Sequence, residues 1–156
     1  MMFFSHLLFG ILSGFLGCKF LGCGNEFLFA AIAAVASVIP DIDHLYSKVS
    51  RKLPPFAVVL SVFRHRGFIH SLFPPLILYF VLIKLDYLLA AATLVGYASH
   101  LVLDAATTNG IRPLYPVIKI RIAGFIRTNS FAEKVITLML LVLAIAFAFS
   151  EILRFI

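Results

Sequence analysis

The chain has 156 residues, of which 62% are hydrophobic and only 13% charged, and its mean hydropathy is +1.07. A soluble domain carries about 25% charged residues, so a globule covered by water is excluded and lipid must solvate much of the surface. The formal net charge of +6 reads here as the Lys/Arg bias of a membrane protein's cytoplasmic loops, and no nucleic-acid partner is expected.

Five apolar stretches follow in chain order. The first runs from about Met1 to Gly22, interrupted only by His6 and Lys19. It lacks a basic leader and a small-residue cleavage site, so we expect a retained helix rather than a signal peptide. The second is Phe27 to Ile39, and the third is Leu72 to Ile83 with Pro74 and Pro75 in its first turn. Both are shorter than the roughly 20 residues a spanning helix needs. The fourth is Tyr87 to Leu103 and the fifth Val135 to Phe149. Between the last two, Pro113-Leu-Tyr-Pro116 and the alternating Val117 to Ile122 predict a turn with a short strand or β-hairpin. Ser130-Phe-Ala-Glu133 reads as a capping box before the fifth helix. The expectation is one all-α, multi-pass membrane domain over 1–156, with about five membrane-embedded helices. Cys18 and Cys23 match no trusted metal or redox spacing and read as small apolar helix residues.

If the chain crosses at each stretch, one side receives Lys48, Arg51, Lys52, Arg64, Arg66, Arg112, Lys119, Arg121, Arg127 and Lys134, ten of the 13 basic residues. That side, with the amino terminus, is expected to face the cytoplasm. All five histidines and Asp41, Asp43 and Asp104 fall on it, although none was used to assign the sides.

Four patterns there can carry chemistry. His100 and Asp104 are four residues apart, hence on one face of an apolar helix, where ionisable groups are costly and usually functional. The alternative is a hydrogen-bonded pair between helices. Asp41, Asp43 and His44 crowd two carboxylates and an imidazole into four residues, which suits a divalent cation; otherwise they form a capped helix end. His65 and His70 flank a glycine turn, and Arg64 and Arg66 are suited to gripping phosphate, unless this is simply a basic membrane-proximal loop. Thr107, Thr108, Asn109 and Gly110 either position a phosphate or water, or form a helix end with its turn. His6, one turn into the first helix, is a ligand or a buried hydrogen-bonding residue. Glu133 is a cap or a group supporting the ligands.

These stretches together resemble the LexA-regulated, YdjM-like inner-membrane family, grouped as metal-dependent hydrolases. The likeness rests on Ser5 to Phe9, Pro40 to His44, His65 to Ser71, and Gly96 to Asp104 with Thr107, Thr108 and Gly110, in the same order along nearly the whole chain. Pro116 and Glu133 also match. Ile69 stands where the family has threonine. The resemblance implies a hydrolase. A more distant likeness, through the His100–Asp104 spacing, is to zinc-dependent phospholipases C and single-strand nucleases, and implies phosphoester hydrolysis.

The sequence therefore predicts metal ligands drawn from His6, Asp41, Asp43, His44, His65, His70, His100 and Asp104. Eight candidates leave room for two or more ions, and a set without thiolates suits zinc, manganese or iron. Asp41 or Asp43 would take a proton and Arg66 would offset developing charge. Arg64, Arg66, Ser71, Thr107, Thr108 and Arg112 would bind substrate. A lipid phosphate or phospholipid is expected as substrate because the site lies at headgroup level. The alternative is a non-catalytic metal-binding or transport protein.

Overall fold

The computed structural model describes residues 3–41 and 67–155. Asp43, His44, Arg64, His65 and Arg66 lie outside the described residues. Five α-helices are described: α1 (Phe3–Leu21), α2 (Glu26–Val38), α3 (Phe73–Leu82), α4 (Tyr87–Ala106) and α5 (Phe131–Phe155), with a 3-10 turn at Ile39–Asp41. Local chemistry sets their starts. Asn25 accepts from the Leu28 N–H at 3.1 Å and Asp86 from the Leu89 N–H at 2.7 Å, each satisfying a donor at a helix start. Pro74 and Pro75 occupy the first turn of α3, where a missing N–H costs nothing.

Three of these helices, α1, α4 and α5, are long and apolar enough to cross a membrane. At 1.5 Å per residue a helix of about 20 residues spans roughly 30 Å, the thickness of the hydrocarbon core. α2 and α3, with 13 and 10 residues, are shorter than that, so three spanning helices are supported where about five membrane-embedded ones were expected. α5 is the most lipid-facing: Leu138, Met139, Val142, Ile145 and Phe149 are all well exposed along it.

α1 packs on α2, α4 and α5, α2 packs on α4, and α3 packs on α4. Small residues let the backbones meet, as is usual where lipid provides no hydrophobic drive. Gly14 abuts Ala30, and a Cβ on Gly96 would collide with the Ala33 carbonyl. Phe29, Ala91, Ala92 and Cys18 fill the core at one end of the bundle.

Two expectations are corrected. Among the described residues the 107–130 segment forms no strand, only isolated bridges at Ile111–Ile122 and Thr107–Ile126. Pro113 and Pro116 remove two donors, and the Ile118 N–H turns back to the Leu114 carbonyl, so no ladder extends. Cys18 and Cys23, read as small apolar helix residues, stand side by side with Cα atoms 5.1 Å apart; only Cys18 lies in a helix, and Cys23 stands in the turn after α1.

The bundle has two distinct polar ends. At one, Lys19 of α1 contacts Glu151 of α5 at 3.4 Å, and Arg154 contacts the same carboxylate at 2.9 Å. The starts of α1 and α5 and the ends of α2 and α4 meet at the other.

Candidate metal centre

At that second end, α1 contributes His6, the 3-10 turn Asp41, the turn before α3 His70, and α4 His100 and Asp104. The 3.6-residue repeat puts His100 and Asp104 on one inward face of α4. Asp104 is the hub. Its Oδ1 lies 3.4 Å from His6 Nε2, and its Oδ2 lies 3.5 Å from His70 Nε2 and 3.7 Å from His100 Nε2. His6 and His100 are fully buried, and His70 and Asp104 nearly so. The His6 and His100 rings stack at 3.9 Å between centroids.

One hydrogen bond decides the tautomer of His100. Its Nδ1 lies 2.8 Å from the Ser37 carbonyl. A carbonyl only accepts, so Nδ1 carries the proton and Nε2 presents a lone pair. That lone pair has no hydrogen-bond donor and faces an acceptor, Asp104. Two acceptors face each other across a buried gap most economically when a cation lies between them. The spacing agrees: ligands at about 2.0–2.1 Å on a tetrahedral ion stand about 3.3–3.5 Å apart. His6, His100 and Asp104 offer ligand atoms within 4.8 Å of one another, as do Asp41, His70 and His100. Both groups include His100, whose Nδ1 is already committed to the Ser37 carbonyl.

Several supporting residues escape a motif reading. Ser37 supplies the carbonyl for His100, while its hydroxyl donates to the His6 carbonyl at 3.0 Å and ties α2 to α1. Tyr97 donates to the Ile69 carbonyl at 2.8 Å and so holds the backbone beside His70. The only sequence signal for either is register: Tyr97 lies three residues before His100, and Ser37 four before Asp41.

Other predicted site residues have local roles. Thr107 closes α4, its hydroxyl donating to the Asp104 carbonyl at 2.8 Å and accepting from the Gly110 N–H. The Ser71 hydroxyl donates to the Phe68 carbonyl at 2.6 Å. Thr108 and Arg112 are exposed. Glu133 is fully buried at the start of α5. It receives the Asn129 N–H at 2.5 Å, its own N–H donates to Ser130 Oγ at 3.3 Å, and Ser5 approaches its carboxylate at 3.5 Å. Ser5 also shares a hydrogen bond with Thr137 at 2.8 Å. Because Ser5 adjoins His6, this network anchors the ligand-bearing start of α1. Glu133→Ala should lower stability by about 1–3 kcal/mol, the cost of orphaning buried partners, and thermal melts in detergent would reveal it.

The fold and this end of the bundle define a multi-pass helical membrane protein with a buried His/Asp cluster able to hold a metal ion. The YdjM inner membrane protein family matches residues 1–155. The chain belongs to that family. It is 41% identical over 136 residues to YvsG of Bacillus subtilis (strain 168), covering 85% of this chain and 84% of that protein. It is 32% identical over 92 residues to the inner membrane protein YdjM of Escherichia coli (strain K12), covering 54% of this chain and 47% of that one. The same figures hold for YdjM of Shigella flexneri. No solved structure matches the chain.

Proposed function

We propose that the chain is a membrane-bound, metal-dependent hydrolase that cleaves a phosphoester at the cytoplasmic face. His6, His70, His100 and Asp104, with Asp41 beside them, would hold the ion, and residues 1–156 would act as one helical domain. The observation that carries this reading is the lone pair of His100 Nε2 aimed at Asp104, with two further imidazoles around the same carboxylate.

The donor set is imidazole and carboxylate without thiolate, which suits zinc first and also manganese or iron. The ion would supply a polarised phosphoryl oxygen and an acidified water. Because His100 can serve one ion, a second would depend on the other oxygen of Asp104 and on Asp43, His44 or His65. Asp41, only partly buried, would accept a proton. Arg112 and Thr108, exposed beside the cluster's end of α4, would meet a lipid phosphate or phospholipid headgroup, together with Arg64 and Arg66. Ser71 and Thr107 would shape the pocket rather than bind directly, since their hydroxyls already serve turns.

Orientation follows the same logic. The described segment between α4 and α5 begins at the cluster's end and carries Arg112, Lys119, Arg121 and Arg127, so that end would face the cytoplasm. α2 and α3 would be embedded without crossing alone.

A non-catalytic metal carrier is the second reading. It is favoured by the complete burial of His6 and His100, which suits retention of an ion better than entry of a bulky ester. Elemental analysis of the purified protein, followed by turnover assays on phospholipids and lipid phosphates, separates the two. Stoichiometric metal with phosphoester turnover is expected. Metal without turnover on any of these substrates favours the carrier, and protein without stoichiometric metal overturns both.

A further inference from the structure

At the opposite end of α1 the chain makes a helix stop with a particular chemistry. The Cys23 N–H donates to the Cys18 carbonyl at 3.1 Å, and Gly22 between them has φ +65°. This is the Schellman arrangement, in which a left-handed residue just past the helix lets the next N–H reach back to the last turn. The motif characteristically brings together the side chains at those two positions, usually as a hydrophobic contact. Here both are cysteines. Their Cα atoms are 5.1 Å apart, inside the range of about 4.4–6.8 Å that a disulfide requires. Gly24, at φ +76°, then turns the chain into the Asn25 cap of α2.

We propose that Cys18 and Cys23 form a structural disulfide that is made outside the cytoplasm, and that the α1–α2 turn therefore lies on the extracytoplasmic face. Disulfides persist in oxidising compartments and are rare in the cytosol. The two thiols differ in access, which sets the order of events. Cys23 is part-exposed in the turn, while Cys18 is about 1% exposed against Phe29, Ala91 and Ala92. The Cys23 thiolate attacks the disulfide of an extracytoplasmic dithiol–disulfide donor and expels one of its thiols. Cys18 then attacks Cys23 in that mixed disulfide and releases the donor as a dithiol. Two thiols are oxidised and one donor disulfide is reduced. Once closed, the bond has one sulfur in the packed core, which hinders its reversal.

The proposal is independent of any metal. It uses the end of the bundle farthest along α1 from His6, where Lys19, Glu151 and Arg154 also gather. If it holds, the His/Asp cluster occupies the reducing side, by an argument that makes no use of the Lys/Arg count.

The chain contains two cysteines, so thiol labelling reads the pair directly. Intact cells producing the full chain would be treated with a membrane-impermeant maleimide that shifts gel mobility, with and without prior treatment by an impermeant phosphine reductant. Wild-type protein should remain unlabelled without the reductant and become labelled after it, with no permeabilisation. In Cys18→Ser, Cys23 should label in intact cells without reduction. Labelling of unreduced wild type overturns the disulfide, and a requirement for permeabilisation in either protein overturns the assigned face. Should Cys18→Ser fail to accumulate, the mass of acid-quenched, alkylated wild type still decides: two alkyl groups added before reduction overturn the bond, and none support it.

Discussion

Replacing Asp104 with asparagine should abolish stoichiometric metal binding while leaving the helices in place. Asp104 lies within 3.4–3.7 Å of Nε2 on His6, His70 and His100, so it touches every imidazole described in the cluster. Asparagine has the same shape but no charge, and it offers a single oxygen in place of two. Substituting groups that merely support a ligand typically costs about 10–100-fold in metal affinity, so loss of this anionic ligand should cost at least about 100-fold. Thermal stability gives a second readout. Metal at 100 times its dissociation constant adds about 2.7 kcal/mol to the folded state. Added zinc should therefore raise the melting temperature of metal-stripped wild type and leave Asp104→Asn unmoved. Acid should release the metal from wild type, because each imidazole must be neutral to bind. Equal zinc content in Asp104→Asn and wild type would remove this residue from the ligand set.

The largest purely structural effect is expected at Gly96. This residue sits where α4 crosses α2, and a single added carbon would run into the carbonyl of Ala33. Ala33 is backbone in a buried helix, so neither partner can swing aside as a flexible side chain would. Overpacking of this kind costs about 1–3 kcal/mol and occasionally more. Gly96→Ala should fall at the upper end of that range. The consequence would travel one turn along the interface, because forcing α4 from α2 lengthens the bond between His100 Nδ1 and the Ser37 carbonyl, now 2.8 Å. Loss of that bond frees the imidazole to rotate or change tautomer. Gly96→Ala should thus show both a lower melting temperature and weaker metal retention, whereas Gly24→Ala, in a turn with open space around it, should show at most backbone strain and unchanged metal binding. A Gly96→Ala protein with wild-type stability would mean that the helices do not meet this closely in the membrane.

Much of this was legible because it is local. Hydropathy marked every described helix, since lipid solvation selects apolar runs regardless of how they pack. His100 and Asp104 could be paired because helical periodicity alone puts them on one face. The Ser130–Glu133 cap was half right: the Glu133 N–H does meet Ser130, but the carboxylate takes the Asn129 N–H instead, at a residue with φ +63°. Local pattern also misled. Alternation from Val117 to Ile122 suggested a strand, yet a ladder needs a partner with donors, and the two prolines withhold them. The cysteine pair was missed because its signal is not cysteine spacing but the glycine between them, which bends the chain so that the side chains meet.

Composition and periodicity, by themselves, determined that this is a helical membrane protein and that His100 and Asp104 share one helix face. Only the tertiary structure decided that His6, Asp41 and His70 close around His100 and Asp104, because residues 29 to 98 apart in sequence meet only through the crossing of α1, α2 and α4. The metal chemistry depends on one tautomer of His100: imidazole Nδ1 bound to a main-chain oxygen of α2, leaving the opposite nitrogen unprotonated toward a carboxylate. Nitrogen-15 NMR of metal-stripped protein showing the proton on Nε2 of His100 would sink it.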